Sequence, residues 1–422
     1  MVDNSLRTVR FRAQDRPLHA TSAKRSGLPT TGTQAQHPAF QQAQHAQIGL
    51  EPDAVPVPNG RMNNTSFPRD ILRQFGSPAV VIDLDVVERN IARVQGACDA
   101  AGVANRPHIK THKSPIIAAM QRAAGARGIT CQKLGEAEVM ADGGLDDILI
   151  SYNLLGEDKV ARLGALLGRV QVTVAADNPV TVAGLPEAGR IAGRKLPVVV
   201  ECDTGRRRAG VETPGEAIAL ARLIAALPHL SFAGLLMYPP EDRWAETQRF
   251  VDEVRAVLAA EGQSLDIVST GGTPNLANLG QLKGATEHRA GTYIFNDRMM
   301  MACGQASLAD CALTVHATVV SRAAPERGIL DAGSKTLTAD QGGGLDGFGY
   351  IIEHPEARIH KFAEEHGFLD LSACNARPGV GDVVRIIPNH VCVVCNMVDR
   401  YVAVRGETII GEIPVAARGR LA

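Results

Sequence analysis

The chain has 422 residues, with 44 Lys+Arg against 45 Asp+Glu, a formal net charge of −1, and 45% hydrophobic but only 4% aromatic residues. This balance offers no basic face for nucleic acid or for an anionic membrane, so the expected partner is a small molecule. At about 150 residues per domain, the length suits two or three domains whose cores need neither disulfides nor a structural metal.

Eight cysteines are scattered at positions 98, 131, 202, 303, 311, 374, 392 and 395. No secretory signal accompanies them, so no disulfide framework is expected, and a reducing cytoplasm is the expected compartment. No apolar run approaches the roughly 18 residues that span a bilayer, so no membrane partner is expected.

In chain order, residues 1–66 come first and are polar, with a Gln/Ala/His stretch over 34–47 and a Pro/Gly/Asn-rich stretch over 51–64. They read as a flexible extension. Arg7, Arg10, Arg12, Arg16, Lys24 and Arg25 suggest an organelle presequence, but Asp3 and Asp15 interrupt it and its apolar periodicity is weak, so the targeting reading is set aside. Residues 78–85 form a β-branched run, after which Val87, Ile91, Val94 and Ala97 fall at helical spacing. Eight short apolar runs follow, at 106–110, 128–132, 147–151, 170–175, 196–203, 232–238, 266–270 and 287–295. Most are separated by amphipathic segments, which predicts a (β/α)8 barrel of the TIM type over 67–302. From 303 to 422 the alternation stops and strand-like runs dominate, at 313–320, 328–330, 383–388, 390–395, 401–404 and 408–410, which predicts a C-terminal β domain.

In such a barrel, functional groups collect at the C-terminal ends of the strands. There the sequence places Lys110 and its neighbours, Gln132, Asp203 with Arg208, Tyr238, the stretch Ser269-Thr-Gly-Gly-Thr273, and Gly291-Thr-Tyr293. A glycine pair flanked by hydroxyls lets backbone N–H groups approach a phosphate, although a glycine pair after a strand is more often a tight turn. A lysine in the same mouth suits Schiff-base chemistry. Together they raise pyridoxal 5'-phosphate (PLP) as a joint hypothesis.

The blocks Arg106-Pro-His-Ile-Lys-Thr-His-Lys113, Cys131-Gln-Lys-Leu-Gly-Glu-Ala-Glu-Val139, Asp203-Thr-Gly-Arg-Arg-Arg-Ala-Gly-Val211, Ser269-Thr-Gly-Gly-Thr-Pro274, Arg289-Ala-Gly-Thr-Tyr293 and Pro388-Asn-His-Val-Cys392 together resemble the D-threonine aldolase and D-serine dehydratase family. That family belongs to the alanine-racemase-like, fold-type III PLP enzymes, and the resemblance runs from about residue 70 to about 410. It implies that Lys110 is catalytic and carries the cofactor as a Schiff base, with Lys113 the competing candidate. By the same resemblance Thr270, Gly271, Gly272, Gly291 and Tyr293 would hold the phosphate, Tyr238 would lie near the pyridine nitrogen and Arg208 near the phenolic oxygen. Gln132 and Thr292 complete the cofactor-binding set. Asp203 is expected to orient Arg208 or cap its loop.

His390 and Cys392 lie two apart in the strand-like run, where alternation puts them on one face. In isolation such a pair is usually core packing, but the resemblance implies a metal site. A thiolate beside an imidazole suits Zn2+ better than other divalent ions. Cys395 is expected to be a buried small residue on the opposite face. Family aldolases more often have His-x-Asp here and dehydratases His-x-Cys, so Cys392 tilts the reading toward β-elimination. The implied function is a PLP- and metal-dependent lyase acting on a D-3-hydroxy amino acid. It would be a D-serine dehydratase giving keto acid and ammonia or, alternatively, a D-threonine or 3-hydroxy-D-aspartate aldolase giving glycine and an aldehyde. A racemase would need a second base opposite the lysine and no metal pair. The resemblance also implies a homodimer, and Tyr152 and Asn153 are candidates for contacting the substrate.

Overall fold

The computed structural model describes residues 66–422. The extension expected over 1–66 lies outside the described residues except for Ser66, which opens the helix Ser66–Phe75. The first nine strands are β1 Ala79–Asp83, β2 Ala104–Asn105, β3 Ile129–Cys131, β4 Asp147–Ile150, β5 Gln171–Ala176, β6 Leu196–Cys202, β7 Leu230–Met237, β8 Ile267–Thr270 and β9 Glu287–His288. Strands β2 to β9 make one parallel sheet in the order β2-β9-β8-β7-β6-β5-β4-β3. Its two ends meet where the Ile109 N–H donates to the Thr130 carbonyl (2.9 Å) and the Thr130 N–H to the Pro107 carbonyl (2.8 Å). The expected barrel is therefore present, and its strands read as continuous apolar runs because both faces are covered.

Side-chain alternation divides each strand between two cores. Leu149, Ala175, Val199, Ala233 and Leu236 pack together as the filling of the barrel. Their neighbours Ile148, Ile150, Val172, Val174, Val198 and Val200 join the larger cluster under the surrounding helices, each side chain contributing about 1.5–3 kcal/mol on burial. The helices start where the sequence provides caps. Asp83 accepts from the N–H groups of Asp85 and Val86 to open Leu84–Ala100. Thr213 and Glu216 form a capping box, with Pro214 in the first turn, that opens Pro214–Ala226.

The remaining strands are β10 Leu313–Ala324, β11 Arg327–Leu330, β12 Tyr350–Ile351, β13 Arg358–Phe362, β14 Gly367–Asp370, β15 Val383–Ile387, β16 Arg400–Arg405 and β17 Thr408–Pro414. They form a second sheet in the order β13-β14-β11-β10-β1-β16-β17, with β15 on β10 and β12 on β15. Strand β1, inside the 67–302 segment expected as barrel, lies in the middle of this sheet, antiparallel to β10 and parallel to β16. Both of its faces are covered: Val80 and Ile82 enter one core, and Ala79 and Val81 pack with Ile71 in another.

Three expected strands differ from the structure. The run 106–110 is irregular beyond β2 apart from the bridge His108–Thr130, and 287–295 is a strand only at Glu287–His288 before turning into the 3-10 helix Thr292–Ile294. The run 390–395 is not a strand: Val391–Cys395 is a short helix with His390 at its N-cap. Its Val-Cys-Val-Val-Cys sequence is apolar at every turn, so periodicity cannot distinguish a buried helix from a buried strand. All eight cysteines are free, and no helix among the described residues is long and apolar enough to cross a membrane.

Candidate active site

The C-terminal ends of the barrel strands line a partly open cleft. Of the residues singled out in the sequence, Lys110, Gln132, Arg208, Tyr238, Gly271, Gly272, Gly291 and Thr292 line it. Thr270 does not: in β8 it alternates with Ser269, is buried, and its carbonyl accepts from the Arg289 N–H (2.9 Å). The Tyr293 side chain is also outside, fully buried with its hydroxyl bonded to Gln121 Nε2 (2.8 Å). Its backbone N–H nevertheless joins that of Gly291 in donating to Thr273 Oγ1, at 3.1 and 3.3 Å.

The two lysines of the first block separate cleanly. The Lys113 ammonium is buried in an ion pair with Glu136 (3.1 Å), with both side chains 5% exposed or less. Lys110 faces the cleft, and among the described residues no hydrogen bond or ion pair holds its ammonium. His108 stands beside it, taking the Lys110 backbone N–H on Nδ1 (3.4 Å) and facing Gln132 Oε1 (3.1 Å) with Nε2. Burial, reinforced by the Lys110 charge, holds the His108 imidazole well below its usual range and keeps it neutral.

The glycines make a cradle that no side chain could share. A Cβ on Gly271 would lie 1.8 Å from His288 Cε1, one on Gly272 2.8 Å from Tyr238 Cε2, and one on Gly291 2.9 Å from the His108 carbonyl oxygen. Arg208 and Arg289 add positive charge. Arg208 approaches Glu201 at 3.5 Å and lies 5.7 Å from the Tyr238 ring. Arg289 is buried, donating to Ser269 Oγ (2.6 Å) and the Met237 carbonyl (2.9 Å), and burial lowers it to about 10. A glycine cradle, two guanidiniums and an untethered lysine in one cleft fit a phosphorylated aldehyde cofactor such as PLP. Asp203 caps the Arg208 loop, with Oδ1 on the Gly205 N–H and Oδ2 on the Arg208 N–H, both at 2.7 Å.

Thr273 of the Ser-Thr-Gly-Gly-Thr stretch also lines the cleft, as do His108, Ser151, Glu201 and Arg289, to which the sequence assigned no role. Strand parity reveals Glu201, which follows the inward Val199 by two. His108 and Arg289 lie inside the motif blocks themselves. Tyr152 and Asn153 do not line the cleft: Tyr152 lies under the Lys133 ammonium (3.6 Å), and Asn153 bonds Asp177 Oδ1 (2.9 Å).

Cys392 reaches the same region from the short helix Val391–Cys395. Its Sγ is 3.1 Å from Thr111 Oγ1 and 3.9 Å from Thr292 Oγ1. Burial pushes this thiol up, but the His390 charge and its hydrogen bond outweigh burial and bring it below the usual value. The reciprocal effect raises His390 to about 11, burial opposing, with the Cys392 and Asp297 charges prevailing. A thiolate paired with an imidazole is a donor set suited to Zn2+. Among the described residues no group of three or more His, Cys, Asp or Glu converges as a metal cluster, so two protein donors would leave positions for water or a substrate oxygen. Cys395 is fully buried in the apolar core, as expected.

Comparison with known proteins places these observations. The alanine racemase N-terminal domain family matches residues 82–299, and the serine dehydratase domain family matches residues 312–404. The chain is 36% identical to a D-threonine aldolase of an Arthrobacter species over 367 residues, covering 83% of this chain and 95% of the relative. It is 33% identical over 352 residues to D-threo-3-hydroxyaspartate dehydratase of Delftia sp. (strain HT23), covering 77% of this chain and 93% of the relative. Among solved structures, the D-threonine aldolase from Filomicrobium marinum superposes with a TM-score of 0.76 at 33% identity, covering 82% of this chain and 96% of that one. D-threo-3-hydroxyaspartate dehydratase superposes with a TM-score of 0.72 at 29% identity, covering 80% and 97%, in a cysteine-to-alanine variant in the metal-free form. The same dehydratase is also solved with a histidine two residues earlier changed to alanine. The chain therefore belongs to the alanine-racemase-like family of D-threonine aldolases and D-serine dehydratases.

Proposed function

We propose that this protein is a PLP- and divalent-metal-dependent lyase acting on D-3-hydroxy amino acids, and that it eliminates the β-hydroxyl in the manner of a D-serine dehydratase. The observation that carries this reading is the approach of Cys392, against Thr111, to the cleft in which Lys110 faces the glycine cradle. The cofactor would sit with its phosphate toward Gly271, Gly272, Gly291 and Thr292, and Arg208 and Tyr238 would flank its ring. Bound there, it would supply an electron sink for negative charge at the substrate α-carbon. A divalent ion, Zn2+ in the first instance, would be held by His390 and Cys392 and would supply Lewis acidity toward the β-oxygen.

The chain's own groups divide the remaining work. Lys110 Nζ would hold the cofactor and is the group placed to take the substrate α-proton. Neutral His108 leaves the neighbouring lysine without a competing cation. The net reaction removes the α-proton and the β-hydroxyl as water, and one water consumed afterwards in solution converts the dehydrated product to a keto acid and ammonia. The His-x-Cys pair supports this branch, because the relative with variants at a histidine and a cysteine two apart is a dehydratase. The aldolase branch, in which the Cα–Cβ bond breaks to give glycine and an aldehyde, is the second reading and is favoured by the 36% identical relative. On family resemblance the assembly is proposed as a homodimer, and on the scattered free cysteines the compartment is proposed as the cytoplasm.

The test is product analysis of Zn2+-loaded protein given D-serine, D-threonine and D-threo-3-hydroxyaspartate, with an EDTA-treated control. Keto acid and ammonia, lost with EDTA, support the proposal. Glycine plus aldehyde selects the second reading, and no product from any D-substrate refutes both. Lys110→Ala should abolish the visible cofactor band, whereas Lys113→Ala should keep it.

A further inference from the structure

Asp297 ends the loop that follows the 3-10 helix Thr292–Ile294 and is fully buried. A carboxylate there is tolerable only if its oxygens are satisfied, and three N–H donors satisfy them. Oδ1 accepts from the Met300 N–H (2.9 Å), capping the helix Arg298–Ala302. Oδ2 accepts from the Val391 N–H and meets His390 Nδ1, both at 3.0 Å. Two backbone N–H groups aimed at this carboxylate favour its acting as acceptor throughout, which places the proton of the His390 contact on Nδ1. Whatever the charge of the ring, Nε2 is then the one nitrogen that can take a metal.

We propose that Asp297 is a positioning residue for the metal pair: it holds the Nδ1–H of His390, fixes the ring's tautomer and orientation, and presents Nε2 to the ion shared with Cys392. The inference rests on the reading of His390 and Cys392 as metal ligands made above. A hydrogen bond from the second nitrogen to a carboxylate raises the basicity of a ligating imidazole, and losing it typically weakens metal binding about 10–100-fold. Here the same oxygen also holds the first N–H of the helix Val391–Cys395, so one group sets both the His390 ring and the backbone that leads to Cys392.

The experiment uses the full chain with its cofactor, stripped of metal and titrated with Zn2+ by calorimetry, and with Co2+ to follow the thiolate-to-metal absorption. Wild type, Asp297→Asn, His390→Ala, Cys392→Ala and the Asp297→Asn/His390→Ala double variant are compared. Asp297→Asn should keep the circular dichroism spectrum and cofactor band of the wild type while binding Zn2+ about 10–100-fold more weakly. In the His390→Ala background the same substitution should cost clearly less affinity, because the ring contact is gone and only the Val391 N–H contact remains. Unchanged affinity in Asp297→Asn overturns the proposal alone, as does an equal loss in both backgrounds. Wild-type affinity in both His390→Ala and Cys392→Ala overturns the metal-site reading and the proposal with it. If Asp297→Asn does not fold, long-range proton–nitrogen correlation of histidine-labelled, Zn2+-loaded wild type decides: the proton is expected on Nδ1 and the metal on Nε2, and metal on Nδ1 refutes.

Discussion

Gly271→Ala separates the cost of the backbone from the cost of the side chain in the glycine cradle. The residue has φ of +83°, and its Cβ would lie 1.8 Å from Cε1 and 2.1 Å from Nδ1 of His288. The left-handed backbone costs an alanine about 1–2 kcal/mol. The ring cannot easily retreat, because His288 is 1% exposed and its Nε2 is 3.2 Å from the Gly272 carbonyl oxygen. Overpacking of this kind adds about 1–3 kcal/mol, so the total loss should be about 2–5 kcal/mol. Urea unfolding at fixed protein concentration measures it, with cofactor affinity followed by absorbance. In a His288→Ala background the clash disappears, and Gly271→Ala should cost only the backbone share of about 1–2 kcal/mol. Equal losses in both backgrounds would refute the steric account, and a loss below about 0.5 kcal/mol in the wild type would refute both parts, since it is no larger than an ordinary surface substitution.

Acid should destabilise the fold through buried histidines. Burial lowers His112 and His316 to about 3 and His288 to about 4. With each depressed below the unfolded value of about 6.5, the unfolded chain binds more protons; stability is therefore full above pH 6.5 and falls as pH drops through 6.5 toward 4, by at most about 1.4 kcal/mol per pH unit for each ring. Urea midpoints between pH 7 and pH 5 check this, and a flat profile would contradict it. At the other end of the barrel, the Arg106 guanidinium meets Glu287 through Nε and Asp147 through Nη1, each at 2.7 Å. Glu287→Ala should cost about 3–5 kcal/mol by leaving a buried cation short of its buried partner, whereas Asp147→Ala, whose carboxylate is 27% exposed, should cost less; comparable losses in urea would show that burial does not govern the network.

Most of the barrel was legible because strands such as β4 to β7, buried on both faces, announce themselves as apolar runs, and strand-end positions such as Gln132 and Tyr238 are then fixed by topology, whereas β2 and β9 are the two-residue strands Ala-Asn and Glu-His. The place of β1 was not legible: a five-residue Ala-Val-Val-Ile-Asp run suits a barrel strand and the centre of a second sheet equally, and its partners β10 and β16 lie more than 200 residues away. Parity decided the finer points. Glu201 and Ser269 share an inward face that could be read from the strands, while Thr270 faces away from the cleft although it adjoins the glycine pair. Spacing alone does not separate Lys110 from Lys113; the resemblance favours Lys110, and the surroundings of each differ accordingly, open cleft for Lys110 and Glu136 for Lys113.

The His390–Cys392 pair is instructive because strand alternation predicts its convergence, whereas the chain there is not a strand. Two positions apart on a helix, side chains diverge by about 200°, so the observed helix Val391–Cys395 would separate His390 from Cys392 if both were helical. They stay together because His390 is the N-cap, with φ −140° and ψ 109°, outside the helix proper. What holds the chain there is local: the Val391 N–H, a first-turn donor with no intrahelical acceptor, is taken by Asp297, which meets the His390 ring as well. The spacing His-x-Cys is thus compatible with one site in either secondary structure, but for different reasons. In a strand alternation alone would suffice, whereas here the segment is held by contacts to a buried carboxylate 93 residues earlier in the chain.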